Sequence, residues 1–477
     1  MILWRQAEER LVGRLLFPAS NFLLNRRGIQ GYYRALMRTQ HASADELHDM
    51  QLRRLRAVLE HAGDWVPYYK RLFRTIGFDP RGFRNLEELR HIPPLGRSEL
   101  AEHRLELIDT RWHRAAKQAD GSKRAPGEPV PFAGLWGAPL IRNTSSGSTG
   151  APVTFYENGS ITASNWANEL RLRGWFGLPS GAREARMARI SADFLKNNRN
   201  ASFRRRFWNQ LLLPGISLTE ADYAFCAGEL ARFLPRVLWG FTSALTGLAE
   251  YFMQHPESAP ETAPELTVTW AAPLHEPERK MLEEGFGCQA TNVYGTRETG
   301  HIAACCEQRS LHVNQESLYI ETAEAGRPAE LLATTLTPTP MPFIRYRTGD
   351  LGILSSSHCG CGRTLEVIEE LIGRTSEIHM TRDGRMISPN FWCRTFMDPK
   401  LDFAIRRFQV VYRSADRVMI RIVRGPAFTA EIESYLRSTV SKNLFSSASI
   451  TFEYPERIEA QLSGKYRMVV TETEDTK

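Results

Sequence analysis

No stretch of this chain stays apolar for long enough to cross a membrane as a helix, and its first residues, Met1-Ile2-Leu3-Trp4-Arg5-Gln6, lack a basic segment leading into a hydrophobic one. The expected location is the cytoplasm, with peripheral membrane contact as the most that is open to it. Strong charge of either sign is also missing: 61 basic residues against 54 acidic ones leave a formal +7. That bias suits an anionic small molecule or an acidic surface and is by itself no nucleic-acid signature, so no nucleic-acid partner is expected. Seven cysteines, an odd number in 477 residues, do not make a disulfide framework. Internal repeats and low-complexity tracts are absent as well.

What is present is length and alternation. A chain this long exceeds one compact core, so two or more domains are expected. Residues 1–110 carry apolar positions at helical spacing, such as Leu47, Met50, Leu52, Leu55, Val58 and Leu59, with few turn signals before Ile92-Pro93-Pro94. They read as a helical N-terminal region of the large domain, whose first forty residues pack on that domain, form a dimer contact or lie on a membrane surface. From 111 to 375 strand-like and helical pieces alternate, the pattern of an α/β core. A composition change near Gly373-Arg374 opens a small α+β unit over 376–477, with strand-like Phe408 to Tyr412 and Val418 to Val423 and a helical Phe428 to Leu444. The expected fold is α/β, a large multi-subdomain N-terminal domain with a small mobile C-terminal lid. The densest basic stretch, Arg183 to Arg206, reads as a solvated face, or as a docking surface for a phosphorylated cofactor or an anionic membrane.

The chemistry-bearing stretches begin with Ser145-Ser146-Gly147-Ser148-Thr149-Gly150, between the apolar Phe132 to Ile141 and the β-prone Val153 to Tyr156. Glycines let main-chain N–H groups curl around an anion, and hydroxyls donate to phosphate oxygens. No Gly-Lys-Ser/Thr follows, so this is not a Walker loop. In Asn292-Val293-Tyr294-Gly295-Thr296-Arg297-Glu298-Thr299-Gly300 a ring able to stack on a purine precedes a carboxylate able to hold Mg²⁺. Arg345-Tyr346-Arg347-Thr348-Gly349-Asp350 sets a carboxylate after a Thr-Gly turn, able to accept from ribose hydroxyls. Ile372-Gly373-Arg374 and Ser463-Gly464-Lys465 complete the set. Gly285-Phe286-Gly287-Cys288-Gln289-Ala290 imitates a dinucleotide turn, but it follows a helical stretch and precedes a β-prone one, the reverse of the true motif.

These stretches, in this order and spacing, resemble the adenylate-forming (acyl-CoA synthetase) superfamily, and more narrowly its phenylacetate-CoA ligase branch and capsule-polysaccharide-biosynthesis relatives. The resemblance covers roughly residue 40 to the C-terminus. It implies an AMP-forming ligase that joins a carboxylic acid to ATP and transfers the acyl group, most simply to CoA. The amide-forming alternative is transfer to an amine in surface polysaccharide biosynthesis, and the non-enzymatic one is a silent scaffold on the same fold, as monomer or homodimer. By the same resemblance Ser145 to Gly150 handle the β- and γ-phosphates of ATP, Tyr294 and Gly295 lie at the adenine with Ala272 and Pro273, Asp350 holds the ribose, and Arg374 contacts ribose or phosphate near a hinge at Ser376. Glu298 binds Mg²⁺, and Lys465 is the catalytic lysine on the small domain. Phe241, Trp270, Val293 and Thr299 line the acid pocket.

The chain departs from the family at three places. Ala151 stands where this branch usually has lysine, Arg297 where the superfamily has Thr or Ser, and Ser376-Glu377 in place of an acidic pair at the hinge. Arg297 is either a phosphate clamp or a structural ion-pair partner, and it resembles the capsule relatives. Finally, Cys306, His312, Cys359 and Cys361 look like the cysteine and histidine set of the phenylacetate-ligase branch, suited to a structural tetrahedral Zn²⁺. Cys305 or His358 are substitutes within that set, and reduced unpaired cysteines are the alternative.

Overall fold

The structure is a computed structural model of the chain and describes residues 2–23, 28–121, 129–130, 140–145, 153–190, 195, 199–216, 218–324, 328–355, 358–375, 379–380, 386–387, 389–396, 401, 404–414, 417–443, 449–458 and 468–471. The described residues before 110 are largely helical, in line with the spacing of their apolar positions. Ser43 opens the Ala44–Trp65 helix with a capping box that includes Glu46, and the helix buries Leu47, Met50, Leu55, Val58, Leu59 and Ala62 along one face. The first forty residues pack on the large domain: Val12, Phe17 and Ile29 meet Trp166, Leu170 and Trp208. Glu8 pairs with Arg183 at 2.5 Å and Glu9 with Arg236 at 2.8 Å. No described helix is long and apolar enough to cross a membrane.

A short sheet, β1 (Pro129–Val130), β2 (Leu140–Thr144) and β3 (Thr154–Asn158), holds the stem of the hydroxyl-rich loop. The main sheet has eleven strands. Five are parallel: β4 (Glu184–Ala188), β5 (Gln210–Pro214), β6 (Val237–Phe241), β7 (Leu266–Trp270) and β8 (Gln289–Thr296). Helices such as Thr242–Gln254 and Glu276–Phe286 cover them, so most strand positions are buried rather than every second one, polar Thr267, Thr269, Thr291 and Asn292 included. The antiparallel half is β9 (Gly300–Cys305), β10 (Leu311–Val313), β11 (Leu318–Thr322), β12 (Ala329–Thr335), β13 (Tyr346–Ser355) and β14 (Val367–Arg374). The whole runs β11-β12-β13-β14-β10-β9-β8-β7-β6-β4-β5. The false dinucleotide turn is resolved accordingly: Gly287 caps the Glu276–Phe286 helix in the left-handed region, φ 66°, and β8 follows.

After a two-stranded piece, β15 (His379–Met380) and β16 (Met386–Ile387), a second core forms around Trp392, Phe396, Phe408, Val410, Tyr412, Ile420, Leu436 and Val440. Its sheet is β19 (Ser449–Glu453), β18 (Arg417–Arg424), β17 (Ile405–Ser414) and β20 (Val469–Thr471), with the Ala430–Asn443 helix against it. The architecture is thus a large N-terminal α/β unit and a small α+β C-terminal one.

Candidate active site

Ligands in open α/β sheets bind beyond the carboxyl ends of the parallel strands. Here those ends open into a cavity of about 550 Å³ lined by residues from both halves of the main sheet, the β2–β3 stem and the N-terminal region. Phe241, Trp270 and Val293 form one row across β6, β7 and β8, since Phe241 is in register with Trp270 and Trp270 with Val293. All three line the cavity.

The Arg297 and Glu298 pair sits where local chemistry puts it. Thr296 pairs with Gly300, so Arg297-Glu298-Thr299 is a three-residue hairpin loop, and Gly300 follows in the left-handed region at φ 77°. Gly295 is needed as glycine: a Cβ there would lie 2.3 Å from the Gly300 carbonyl oxygen. Glu298 is buried and accepts from the Tyr346 hydroxyl at 3.1 Å. Burial, then the Glu298 charge, pushes the Tyr346 phenol upward, so it stays a donor. Arg297 donates to Asn143 Oδ1 at 3.2 Å, and Asn143 donates to Glu157 Oε1 at 2.6 Å, which ties the hairpin loop to the β2–β3 stem.

Ser145 marks the start of the hydroxyl-rich loop. Its Oγ accepts from the Val153 N–H at 2.9 Å and from Arg97 at 2.8 Å. Arg97 is a cation that motif reading did not select, because it lies far upstream in the chain. A parallel bridge between Leu95 and Tyr346 delivers it, with Leu95 N–H on the Arg345 carbonyl and Arg347 N–H on the Leu95 carbonyl, each at 3.0 Å. Arg345 fastens that crossing from below by pairing with Glu321 at 2.9 Å and donating to the Arg90 and Ile92 carbonyls. Ser146, Gly147, Ser148, Thr149, Gly150, Ala151, Ser376, Glu377 and Lys465 lie outside the described residues.

On the far wall Arg374, at the end of β14, is in register with Asp350 and pairs with it, Nε to Oδ1 at 2.9 Å. The second Asp350 oxygen accepts from the Tyr294 hydroxyl at 2.8 Å. Arg374, Thr348 and Gly349 line the cavity. Tyr294 does not stand on its wall: the ring packs with Ile302, Ala303 and Val313. Successive strand residues face opposite sides of a sheet, so with Val293 toward the cavity Tyr294 is turned into the core. In this arrangement Tyr294 orients Asp350, a different task from the adenine contact implied by the resemblance. Ala272 and Pro273 also stand off the wall, where Ala271, at φ 71°, takes the place. Thr299 bonds back to Thr296 at 2.9 Å and borders a separate small pocket with Ser164 and Asn165.

Among its described residues the basic stretch is only partly a solvated face: Arg205 and Arg206 are exposed, but Arg186 is not. Arg186 is nearly enclosed and pairs with Glu169 and, at 2.8 Å, with Glu184; Glu184 also binds Arg173 at 2.9 Å. Burial disfavours both charges, but Arg186 and Arg173 outweigh it and hold the Glu184 carboxyl down at about 2. Arg205 meets Glu229 at 3.3 Å, while Arg189 reaches the cavity wall.

Away from the cavity, Cys306, His312, Cys359 and Cys361 bring their donor atoms within 4.8 Å of one another. The Cys306 and Cys359 sulfurs are 3.8 Å apart, and Cys361 Sγ is 3.2 Å from His312 Nε2. A tetrahedron with metal–sulfur bonds of about 2.3 Å has edges of about 3.8 Å, so the spacing fits one ion. His312 Nδ1 lies 3.1 Å from the Leu365 carbonyl, which directs Nε2 to the sulfurs, and burial holds the ring below its usual pKa and therefore neutral. Backbone N–H groups of Gln308 and Cys361 point at the Cys306 and Cys359 sulfurs at 3.3 and 3.4 Å. Cys305 faces the other side of its strand, toward Thr291 and Arg279, and neither it nor His358 belongs to the cluster.

Glu157 gives the site a pH signature. Burial pushes its carboxyl up to about 7, against the opposing pull of Arg297 and the Asn143 amide. Its folded pKa lies above the ordinary 4.5, so its contribution to stability is complete below pH 4.5 and is lost as pH rises through about 7. Glu157→Gln is expected to remove one group's share of the decline over that window. Thermal melts of both proteins from pH 4.5 to 8 check it; parallel curves would refute the assignment.

A family model described as the CapK C-terminal domain matches residues 380–472. The phenylacetate-coenzyme A ligase of Thermus thermophilus is 29% identical over 419 residues, covering 81% of this chain and 84% of that protein. Protein CapK of Staphylococcus aureus is 22% identical, covering 69% of this chain and 74% of its own length. Among solved structures, 2-hydroxyisobutyryl-CoA ligase in its postadenylation state superposes with a TM-score of 0.69 at 18% identity, over 91% of both chains. That likeness speaks for the fold.

Proposed function

We propose that this chain belongs to the adenylate-forming superfamily, in the branch of the phenylacetate-CoA ligases and their CapK relatives, and is a ligase that joins a carboxylic acid to AMP and passes the acyl group to CoA. The observation that carries this is the meeting, in one cavity, of Ser145, Arg97, Arg297, Glu298, Thr348 and Arg374 beside the apolar row Phe241, Trp270 and Val293. A carboxylate attacks the α-phosphorus of ATP, and pyrophosphate leaves. Both reactants are anionic, so the site has to neutralise charge and hold them in line, which needs no protein nucleophile. Arg97, on the Ser145 hydroxyl, and Arg297, on the Asn143 amide, supply fixed positive charge where the hydroxyl-rich loop begins, the charge that Ala151 does not provide. Asp350, held by Tyr294, receives the ribose once Arg374 swings from it toward phosphate. Glu298 would hold Mg²⁺: one of its oxygens is occupied by Tyr346, leaving the other for a hard cation. When bound, that ion offsets the triphosphate charge.

The Cys306, His312, Cys359 and Cys361 cluster would hold a structural Zn²⁺, joining the β9–β10 turn to the segment between β13 and β14. A second reading, acyl transfer to an amine in surface polysaccharide biosynthesis, draws on the CapK relative and on Arg297. A cytoplasmic location accords with either. Lys465 completes the first reaction by binding the transferring phosphate from the small domain. Lys465→Ala is expected to abolish ATP–pyrophosphate exchange while the far-ultraviolet spectrum and Tm stay as in the parent, and normal exchange by this variant would remove Lys465 from the mechanism. The function itself is tested by pyrophosphate release from ATP with a panel of acids, then by CoA against amine acceptors. No turnover with any acid, together with no ATP binding, would make the chain a scaffold.

A further inference from the structure

One wall of the cavity carries a charged cluster that activation of a carboxylate does not use. Arg186, on β4, is in register with Trp239 on β6, one pleat behind the Phe241–Trp270–Val293 row. Two residues of strand span about 6.6 Å, so its backbone lies deeper than the apolar row and further from the hairpin loop of Glu298. Its guanidinium lies over three rings, 4.9 Å from Trp166, 4.8 Å from Trp239 and 5.8 Å from Trp270. Described bonds use Nε–H on Glu184 and one N–H from each terminal nitrogen on Glu169. Of its five N–H donors two remain. Glu169 and His301 stand on the same wall, with His301 Nε2 3.7 Å from the nearer Glu169 oxygen, beyond hydrogen-bond reach. Among the described residues no hydrogen bond reaches the His301 ring.

We infer that the acid this chain activates carries a hydroxyl group on its side chain, received by Arg186, Glu169 and His301 in a pocket whose middle is the apolar row Phe241, Trp270 and Val293. The inference rests on the carboxylate-activating reading. Arg186, Glu169 and His301 line the cavity with donors and acceptors left over from their described bonds, and a ligand that displaces water there keeps its affinity only by replacing those hydrogen bonds. Arg186 and Glu169 cancel in charge, so the wall suits a neutral group that both donates and accepts. A hydroxyl does both: it donates to Glu169 or His301 and accepts from an Arg186 N–H. An ammonium would meet Arg186 and the other arginines of the cavity, and a second carboxylate would meet Glu169.

The experiment is ATP–pyrophosphate exchange by the full chain with matched pairs, 4-hydroxyphenylacetate against phenylacetate and 3-hydroxybutanoate against butanoate, with succinate and β-alanine as charged arms. In at least one pair the hydroxylated acid is expected to exceed its partner in kcat/KM by roughly 10²-fold or more, since a site built for a hydroxyl leaves its polar groups unpaired with the analogue. In Glu169→Gln and His301→Phe that ratio is expected to fall by about tenfold. Melting temperatures of both variants show that each is folded. Equal or better use of the unsubstituted acids, preference for either charged arm, or an unchanged ratio in both folded variants would overturn the inference while leaving carboxylate activation standing. No exchange with any acid would remove both.

Discussion

Glu298→Gln is expected to lower ATP–pyrophosphate exchange by about 10²- to 10³-fold, the range seen when one preorganised electrostatic contact is lost from an active site. The substitution keeps size and shape, and the amide oxygen still accepts from Tyr346, so the β8–β9 loop has no reason to move. What goes is the negative charge facing the cavity. The loss therefore belongs to cation binding, and it should show as a raised Mg²⁺ requirement with little change in Tm. Tyr346→Phe separates the two parts of the arrangement: it leaves the charge and removes the bond that aims it, and a smaller loss is expected. Exchange by Glu298→Gln within about twofold of the parent would take Glu298 out of the reaction.

Cys361→Ser is expected to act on stability more than on chemistry. Purified parent should carry about one zinc per chain, and the variant close to none, because the tetrahedral set loses a thiolate 3.2 Å from His312. Loss of a structural metal belongs to the small class of changes that cost about 3 kcal/mol or more. Cys306 follows the end of β9, and the Glu298 loop precedes its start; six residues of strand separate them. The active loop is therefore felt indirectly, and the variant should unfold at clearly lower temperature while retaining most of its exchange activity at low temperature. Metal analysis and melting curves check this, with chelation of the parent as the matching arm. Parent protein purified without chelators and free of zinc would end the metal assignment.

Much of this was legible in the sequence because it is local. The Gly295 and Gly300 positions, the hairpin loop carrying Arg297 and Glu298, the capped Ala44–Trp65 helix and the false dinucleotide turn all follow from steric and hydrogen-bonding preferences over a few residues. The paired sulfurs were visible too, since cysteine spacing constrains which donors can meet. Pleat parity was the first limit. Val293 and Tyr294, or Cys305 and Cys306, are neighbours in sequence, yet facing the cavity or the cysteine–histidine cluster is open to only one of each pair, and which one depends on strand register.

Chain order alone was also silent on charge brought from a distance. Arg97 reaches Ser145 only because Leu95 bridges to Tyr346, and Arg186 looked like part of a solvated basic run until Glu169, Glu184 and three tryptophans enclosed it. By itself the sequence determined the α/β plan, the order of the motifs and the residue types able to handle a nucleotide and an acid, because those depend on short-range geometry. Only the tertiary structure decided which side chains share one cavity and which cations attend the hydroxyl-rich loop, because long-range packing sets the faces and the burial that give a charge its partner.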